Sequence, residues 1–273
     1  MSIEQIIKLS LEEDIFTGDI STEFLKLDMK QSKAEFIAKA DGIIAGLHVA
    51  ELTFKTVDTN IVFTPHVNDG MFVTKGTLLA SIEGCSASLL KAERVALNFL
   101  QRLSGIASLT HLYVKELAGT EAKLLDTRKT TPLLRQLQKY AVRVGGGYNH
   151  RFGLYDMVML KENHIRAAGS ITEAVSRVKA SNTSYKIEVE VTNHEELIEA
   201  VNCKVDRVML DNMSLEEIRK AVIEFGEAVE LEASGNVTLE TIREIALTGV
   251  HYISSGTLTH SYKSLDISML FKN

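Results

Sequence analysis

Four charged residues close four short apolar runs in the second half of this 273-residue chain. Residues 157–160 end at Lys161, 186–189 at Glu190, 207–210 at Asp211 and 229–231 at Glu232. A helical pattern follows each run, which predicts a parallel sheet with right-handed crossovers. The later steps are nearly even: 21 residues from 190 to 211, 21 from 211 to 232 and 23 from 232 to 255. In an α/β barrel the C-terminal strand ends share one concave mouth. Lys161, Glu190, Asp211 and Glu232 are expected to converge there. Carboxylates so placed can hold ribose hydroxyls or Mg2+, the hard cation that accompanies phosphorylated substrates.

Cations gather just upstream. The chain carries a formal charge of -6, yet residues 126–166 hold eight Lys and Arg against three acids. Arg128 and Lys129 follow a run ending at Asp126. They fit carboxylate or phosphate recognition, and equally a solvated surface pair. His150 and Arg151 follow three glycines at 145–147, which form either a plain turn or a close backbone approach to a ligand. Ser234-Gly235-Asn236 and Ser255-Gly256-Thr257 follow the last two runs. Small loops there leave backbone N–H groups for a phosphate. The expected site thus has a phosphate end, carboxylates in the middle and an Arg/Lys/His end for a second anion. Arg135, Lys139 and Arg143 fall on the helix after Pro132 and are assigned to structure or a subunit contact.

The elements that position these groups fall into two regions. Residues 1–105 mix strands and helices irregularly, with strands at 34–38, 61–65 and 77–82 and turns at Asp41-Gly42 and Asp69-Gly70. A long helix is expected from Ser86 to about Leu117. After residue 122 come six strand-then-helix units, too few for an eight-stranded barrel but suited to a shortened one. Thr131 with Pro132 is expected to open one helix. Ser170, Asn193 and Ser214 should open others, Ser214 with the Ser-x-x-Glu capping box, and Thr238 the next.

Composition narrows the function classes. Apolar content of 45% with 24% charged residues is ordinary for a globular chain. Net acidity argues against nucleic acid as the main partner. No apolar run reaches the ~18–20 residues of a membrane span, and no signal-peptide pattern opens the chain. Cys85 and Cys203 lie far apart, which suits a reduced, cytoplasmic protein.

In chain order, Glu13-Asp14, Gly18-Asp19, Glu93-Arg94, Ser104 to Ala107, Asp126-Thr127-Arg128-Lys129-Thr130-Thr131-Pro132, Lys139 to Val142, Asn149-His150-Arg151, Lys161-Glu162-Asn163-His164, Glu188-Val189-Glu190, Leu210-Asp211-Asn212, Glu232-Ala233-Ser234-Gly235 and Leu258 to Ser261 resemble the quinolinate phosphoribosyltransferase family. Ser255 and Thr257 depart from it, standing where the family often has Val and Ala. The resemblance implies an α/β protein, with an N-terminal α/β sandwich at 1–105 and an incomplete parallel barrel of about six strands at 106–261. The tail at 262–273 is expected to pack on the first domain. It implies decarboxylating transfer of phosphoribosyl from phosphoribosyl pyrophosphate to quinolinate, giving nicotinate mononucleotide, pyrophosphate and CO2 with Mg2+. By the same resemblance Lys129, Lys161, Glu190 and Asp211 are catalytic, with Glu190 and Asp211 near the metal directly or through substrate and water. Arg94, Thr127, Arg128, His150, Arg151, Ser234, Gly235, Asn236, Ser255, Gly256 and Thr257 complete substrate binding. A homodimer is implied, in which Arg94 enters the neighbouring site. A related transferase using nicotinate and a non-catalytic binder of phosphorylated metabolites are the alternatives.

Overall fold

A computed structural model describes residues 1–27 and 30–272. In chain order the elements are α1 (Ile3–Ile15), α2 (Ile20–Phe24), β1 (Gln31–Ala38), β2 (Gly42–Ile43), α3 (Leu47–Val57), β3 (Val62–Pro65), β4 (Phe72–Val73), β5 (Leu78–Cys85) and α4 (Ser86–Glu116). Then follow β6 (Lys123–Leu125), α5 (Arg135–Val144), β7 (Val158–Leu160), α6 (Glu162–Ala168), α7 (Ile171–Ala180), β8 (Ile187–Val191) and α8 (His194–Asn202). The last are β9 (Arg207–Asp211), α9 (Leu215–Phe225), β10 (Glu230–Ser234), α10 (Ile242–Ala246), β11 (Tyr252–Ser254), α11 (Thr257–His260) and β12 (Ile267–Lys272). The chain divides into two compact units. The first holds 1–111, 131–146 and 262–273; the second holds 112–130 and 147–261.

In the first unit an antiparallel sheet runs β12-β1-β5-β3. Alternation along β1 buries Ala34, Phe36 and Ala38 on one face. Phe36 meets Phe54 at 5.8 Å and Phe63 at 6.1 Å between ring centroids, separations that suit tilted and edge-on aromatic pairs. The C-terminal strand β12 pairs with β1, setting Ala38 opposite Ile267. Arg135, Lys139 and Arg143 lie on α5 in this unit, half-buried, fully buried and exposed respectively.

The second unit is a six-stranded sheet in the order β6-β11-β10-β9-β8-β7, every pair parallel. β6 and β7 are its edges, and Leu125 makes an isolated parallel bridge to Tyr148. Ser170, Asn193 and Ser214 cap α7, α8 and α9 as expected, and Ser214 forms the full box with Glu217. Each such cap stabilises its helix by about 1 kcal/mol. Two expected starts are corrected. Thr131 and Pro132 form a turn instead, because the Thr131 N–H and hydroxyl are both taken by the Gln138 side chain and Leu133 turns left-handed, so α5 begins at Arg135. Thr238 stands one turn before α10, its N–H donated to Thr241 Oγ1, and the helix starts at Ile242. Among the described residues no helix is long and apolar enough to cross a membrane.

Candidate active site

The strand registers stack the barrel interior in layers. Glu188 and Glu230 stand on either side of Arg207, Glu190 and Glu232 on either side of Met209, and Ser234 stands opposite Asp211. Two-residue alternation turns 188 and 190, 207, 209 and 211, and 230, 232 and 234 to the same side of their strands. The intervening Val189, Val208, Leu210, Leu231 and Ala233 are buried on the opposite face.

Above the upper layers lies a cavity of about 630 Å3, within the size range of small-molecule sites. Thr127, Arg128, Lys129, His150, Arg151, Lys161, Glu190, Asp211, Ser234, Gly235, Asn236, Ser255, Gly256 and Thr257 all line it. Arg94 does not; it is exposed on α4 in the first unit. Glu232 is corrected. β10 continues to Ser234, so Glu232 is not the strand end, and its side chain is fully buried beneath His150. Asp126 is likewise buried, accepting the His150 N–H at 2.9 Å.

Positive charge concentrates on one wall. Arg151 is 9% exposed and donates from Nη1 to the Met157 carbonyl. Its pKa is lowered first by burial and then by the positive charge of Arg128. Like charges that disfavour each other in this way are relieved by a bound anion. Lys161 Nζ stands 2.9 Å from Glu190 Oε2. Asp211 is raised first by burial and then by Glu190, with Lys161 and Lys129 acting in the opposite direction. Two crowded carboxylates presenting oxygen donors fit a hard divalent cation such as Mg2+.

The opposite wall is built from tight turns. Asn212, Gly235 and Asn236 all adopt positive φ (54°, 97° and 50°), which Asn and Gly tolerate best. Asn212 donates to Asp211 Oδ2 at 2.9 Å and accepts from Asn236 Nδ2 at 3.1 Å, tying the carboxylate to the Gly235 loop. Among the described residues no backbone carbonyl takes the N–H of Gly235, Asn236, Gly256 or Thr257. The Ser255 N–H goes to the Leu125 carbonyl, so this residue does not offer its backbone donor to the cavity. The Lys129 side chain lies over Gly256, and its carbonyl accepts from Thr259 Oγ1.

Sequence reasoning missed several lining residues: Met159, Met209, Asn212, Val237, Ser254 and His260. Met159 and Met209 carry no chemical signal beyond apolarity. Glu188 and the inward turn of Glu232 were also missed, although the Glu-x-Glu spacing at 188–190 and 230–232 marks an inward polar face. Beneath the cavity His150 Nε2 lies 3.0 Å from Glu188 Oε2 and 3.5 Å from Glu232 Oε2. Burial pushes both carboxyls up, while Arg207 pulls against it. One ligand atom from each of these three residues lies within 4.8 Å of the others. Arg207 Nη1 is already 3.1 Å from Glu232, so the protein supplies the counter-charge itself.

Known proteins share the sequence pattern and the fold of this chain. The C-terminal domain model of quinolinate phosphoribosyl transferase matches residues 106–270, and the N-terminal domain model matches 19–104. A probable carboxylating nicotinate-nucleotide pyrophosphorylase of Bacillus subtilis is 44% identical over 98% of this chain and 93% of its own. A decarboxylating quinolinate phosphoribosyltransferase (2b, mitochondrial) of Nicotiana tabacum is 44% identical over 98% of this chain and 81% of its own. The crystal structure of NadC from Streptococcus pyogenes superposes with a TM-score of 0.95 at 44% identity, covering 99% of this chain and 97% of that one.

Proposed function

The chain belongs to the quinolinate phosphoribosyltransferase family, and from that membership we propose how the cavity divides the reaction among its residues. The protein transfers phosphoribosyl from phosphoribosyl pyrophosphate to quinolinate with loss of CO2, a step of NAD biosynthesis. The observation that carries the site reading is the gathering of Arg128, Arg151 and Lys161 around one cavity. Quinolinate bears two adjacent carboxylates, and a paired guanidinium wall matches a dianion.

In this reading Arg128, Arg151 and Lys161 hold the quinolinate carboxylates, and Arg94 reaches the wall from a second copy of the chain in a homodimer. His150 stands behind them. Ser234, Gly235, Asn236, Gly256 and Thr257 hold the ribose phosphate, and Ser255 lines the cavity beside them. Thr127 fixes the turn of Lys129, whose N–H it accepts at 3.0 Å. The ring nitrogen attacks the anomeric carbon as the bond to pyrophosphate breaks. Glu190 and Asp211 lower the energy of the positive charge developing on the ribose. Lys129 and Lys161 neutralise the departing pyrophosphate. The alkylated ring is then cationic, so it stabilises the electron pair left when the C–C bond to CO2 breaks, and a proton replaces the lost carboxylate. Mg2+ held near Glu190 and Asp211, directly or through substrate and water, would add charge neutralisation on the pyrophosphate side. Positioning and electrostatics carry the rate, with no protein nucleophile. Cys85 and Cys203, half-buried and outside any disulfide among the described residues, support a reducing, cytoplasmic setting.

The test is release of CO2 and nicotinate mononucleotide from quinolinate, phosphoribosyl pyrophosphate and Mg2+. Consumption of nicotinate with quinolinate left untouched would sink the acceptor assignment.

A further inference from the structure

A column of charge runs down the inside of the barrel below the cavity. At its lower end Tyr252 donates to Glu230 Oε1 at 3.0 Å, and Lys186 Nζ stands 3.6 Å from Glu230 Oε2. Arg207 stacks on the Tyr252 ring with its guanidinium carbon 3.9 Å from the centroid. It donates from Nε and Nη2 to Glu230 and from Nη1 to Glu232. Above Arg207 are Glu188 and Glu232, both fully buried, and above them His150. Ionised groups are costly inside a barrel, and apolar side chains would fill the same space. The placement of this column therefore needs a reason, and its upper end supplies one.

Both nitrogens of His150 face protein. Nε2 faces Glu188 and Glu232. Nδ1 accepts the Arg151 backbone N–H at 2.7 Å. A nitrogen that accepts carries no hydrogen, which assigns the ring's hydrogen to Nε2, 3.0 Å from Glu188 Oε2 and 3.5 Å from Glu232 Oε2. The imidazole that lines the cavity is thus engaged on both sides by protein groups. It holds the backbone from which the Arg151 side chain springs, while the His150 N–H is held from the other side by Asp126.

We infer that Glu188, Glu232 and Arg207 are positioning residues for the acceptor half of the site, acting through His150 to fix the backbone and guanidinium of Arg151. This rests on the assignment of the Arg128–Arg151 wall to quinolinate made above. The column is a support, and the cations that meet substrate stand on it. Arg207 is needed because it balances the two carboxylates; without it their charge would draw Arg151 inward.

The experiment compares Glu232→Gln, Arg207→Met and the double variant with the wild type by steady-state kinetics in both substrates. Wild-type turnover of quinolinate is measured first; its absence overturns the functional reading and leaves the column geometry to the spectrum described below. Given turnover, Glu232→Gln should raise the quinolinate KM roughly tenfold, with the phosphoribosyl pyrophosphate KM within about twofold and kcat within about threefold. Arg207→Met should do more damage than Glu232→Gln, and the double variant should recover part of that loss. Equal losses toward both substrates, or no change in quinolinate KM, would overturn the inference. If the variants fail to fold, the imidazole nitrogen NMR spectrum of the wild-type protein still decides. His150 should show a protonated Nε2 and an unprotonated Nδ1; a hydrogen on Nδ1, alone or on both nitrogens, would refute it.

Discussion

Gly235→Ala tests the phosphate wall most directly. Gly235 has φ +97°, and a Cβ there would run into Asn212 Oδ1, with Asn212 Cγ at 2.5 Å and its backbone N at 3.0 Å. The left-handed backbone alone costs an alanine about 1–2 kcal/mol. The collision adds more, because Asn212 can move aside only by giving up its bonds to Asp211 and Asn236. Each such exposed bond contributes about 0.5–1 kcal/mol, so the total is roughly 2–4 kcal/mol. That is within the ~5–15 kcal/mol a domain can draw on, and the variant should still fold. Gly119→Ala is the control: it has φ +82° and nothing within 4 Å of the new Cβ, so it carries the backbone cost alone. Urea denaturation should therefore show Gly235→Ala to be the more destabilised by about 1–2 kcal/mol. The phosphoribosyl pyrophosphate KM should rise at least ~10-fold, since 1.4 kcal/mol of lost binding is a factor of ten. If Gly235→Ala is no less stable than Gly119→Ala, or if its phosphoribosyl pyrophosphate KM is unchanged, the coupling through Asn212 is wrong.

Other predictions separate the remaining parts. Gly256 has an ordinary φ of -72°, but a Cβ there would lie 2.8 Å from Lys129 Cδ and 3.0 Å from His260 Nε2. Both neighbours are side chains, so Gly256→Ala should cost under ~1 kcal/mol in a melt yet raise the phosphoribosyl pyrophosphate KM several-fold. Arg151→Ala removes charge-assisted bonds worth roughly 1.5–3 kcal/mol and should raise the quinolinate KM about 10- to 100-fold, with the other KM nearly constant. An Arg94→Ala subunit mixed with an Arg128→Ala subunit should regain part of the lost turnover, and no recovery after proven subunit exchange would rule out a shared site. Glu232 is raised from 4.5 to about 7 in the folded state. Above pH 7 it is ionised folded and unfolded, and the burial cost is fully present; as pH falls toward 4.5 the folded state binds its proton first. Wild type should therefore gain stability relative to Glu232→Gln between pH 7 and 4.5, by up to roughly 3 kcal/mol, measured by denaturation at each pH.

Much of this molecule is legible locally. Ser170, Asn193 and Ser214 announce their helices because a cap is a three-residue device. The apolar runs locate the strands, and their terminal charges locate the mouth. What failed depended on distant partners. The start of α5 slips because Gln138 captures Thr131 from the next turn. Glu232 looked like a strand end because the apolar run stops at Leu231, yet pairing with β9 carries β10 on to Ser234. His150 lines the cavity as expected, but nothing local announces that Glu188 and Glu232 stand beneath it. Lys139, assigned to structure or a subunit contact, is fully buried, which the sequence does not announce.

The order of the parallel sheet also governs how the site comes into being. β6 is the first strand of its sheet to be synthesised, yet its neighbour is β11, with Leu124 opposite Ile253. Lys129 and Gly256 therefore become neighbours only when nearly the whole chain has left the ribosome. Contacts so remote in sequence form late and slowly. During synthesis β6 waits with its hydrogen-bonding edge unpaired, and the nascent barrel has no phosphate wall. A chain cut short before residue 252 would keep most of its charged residues and still have no cavity to put them in.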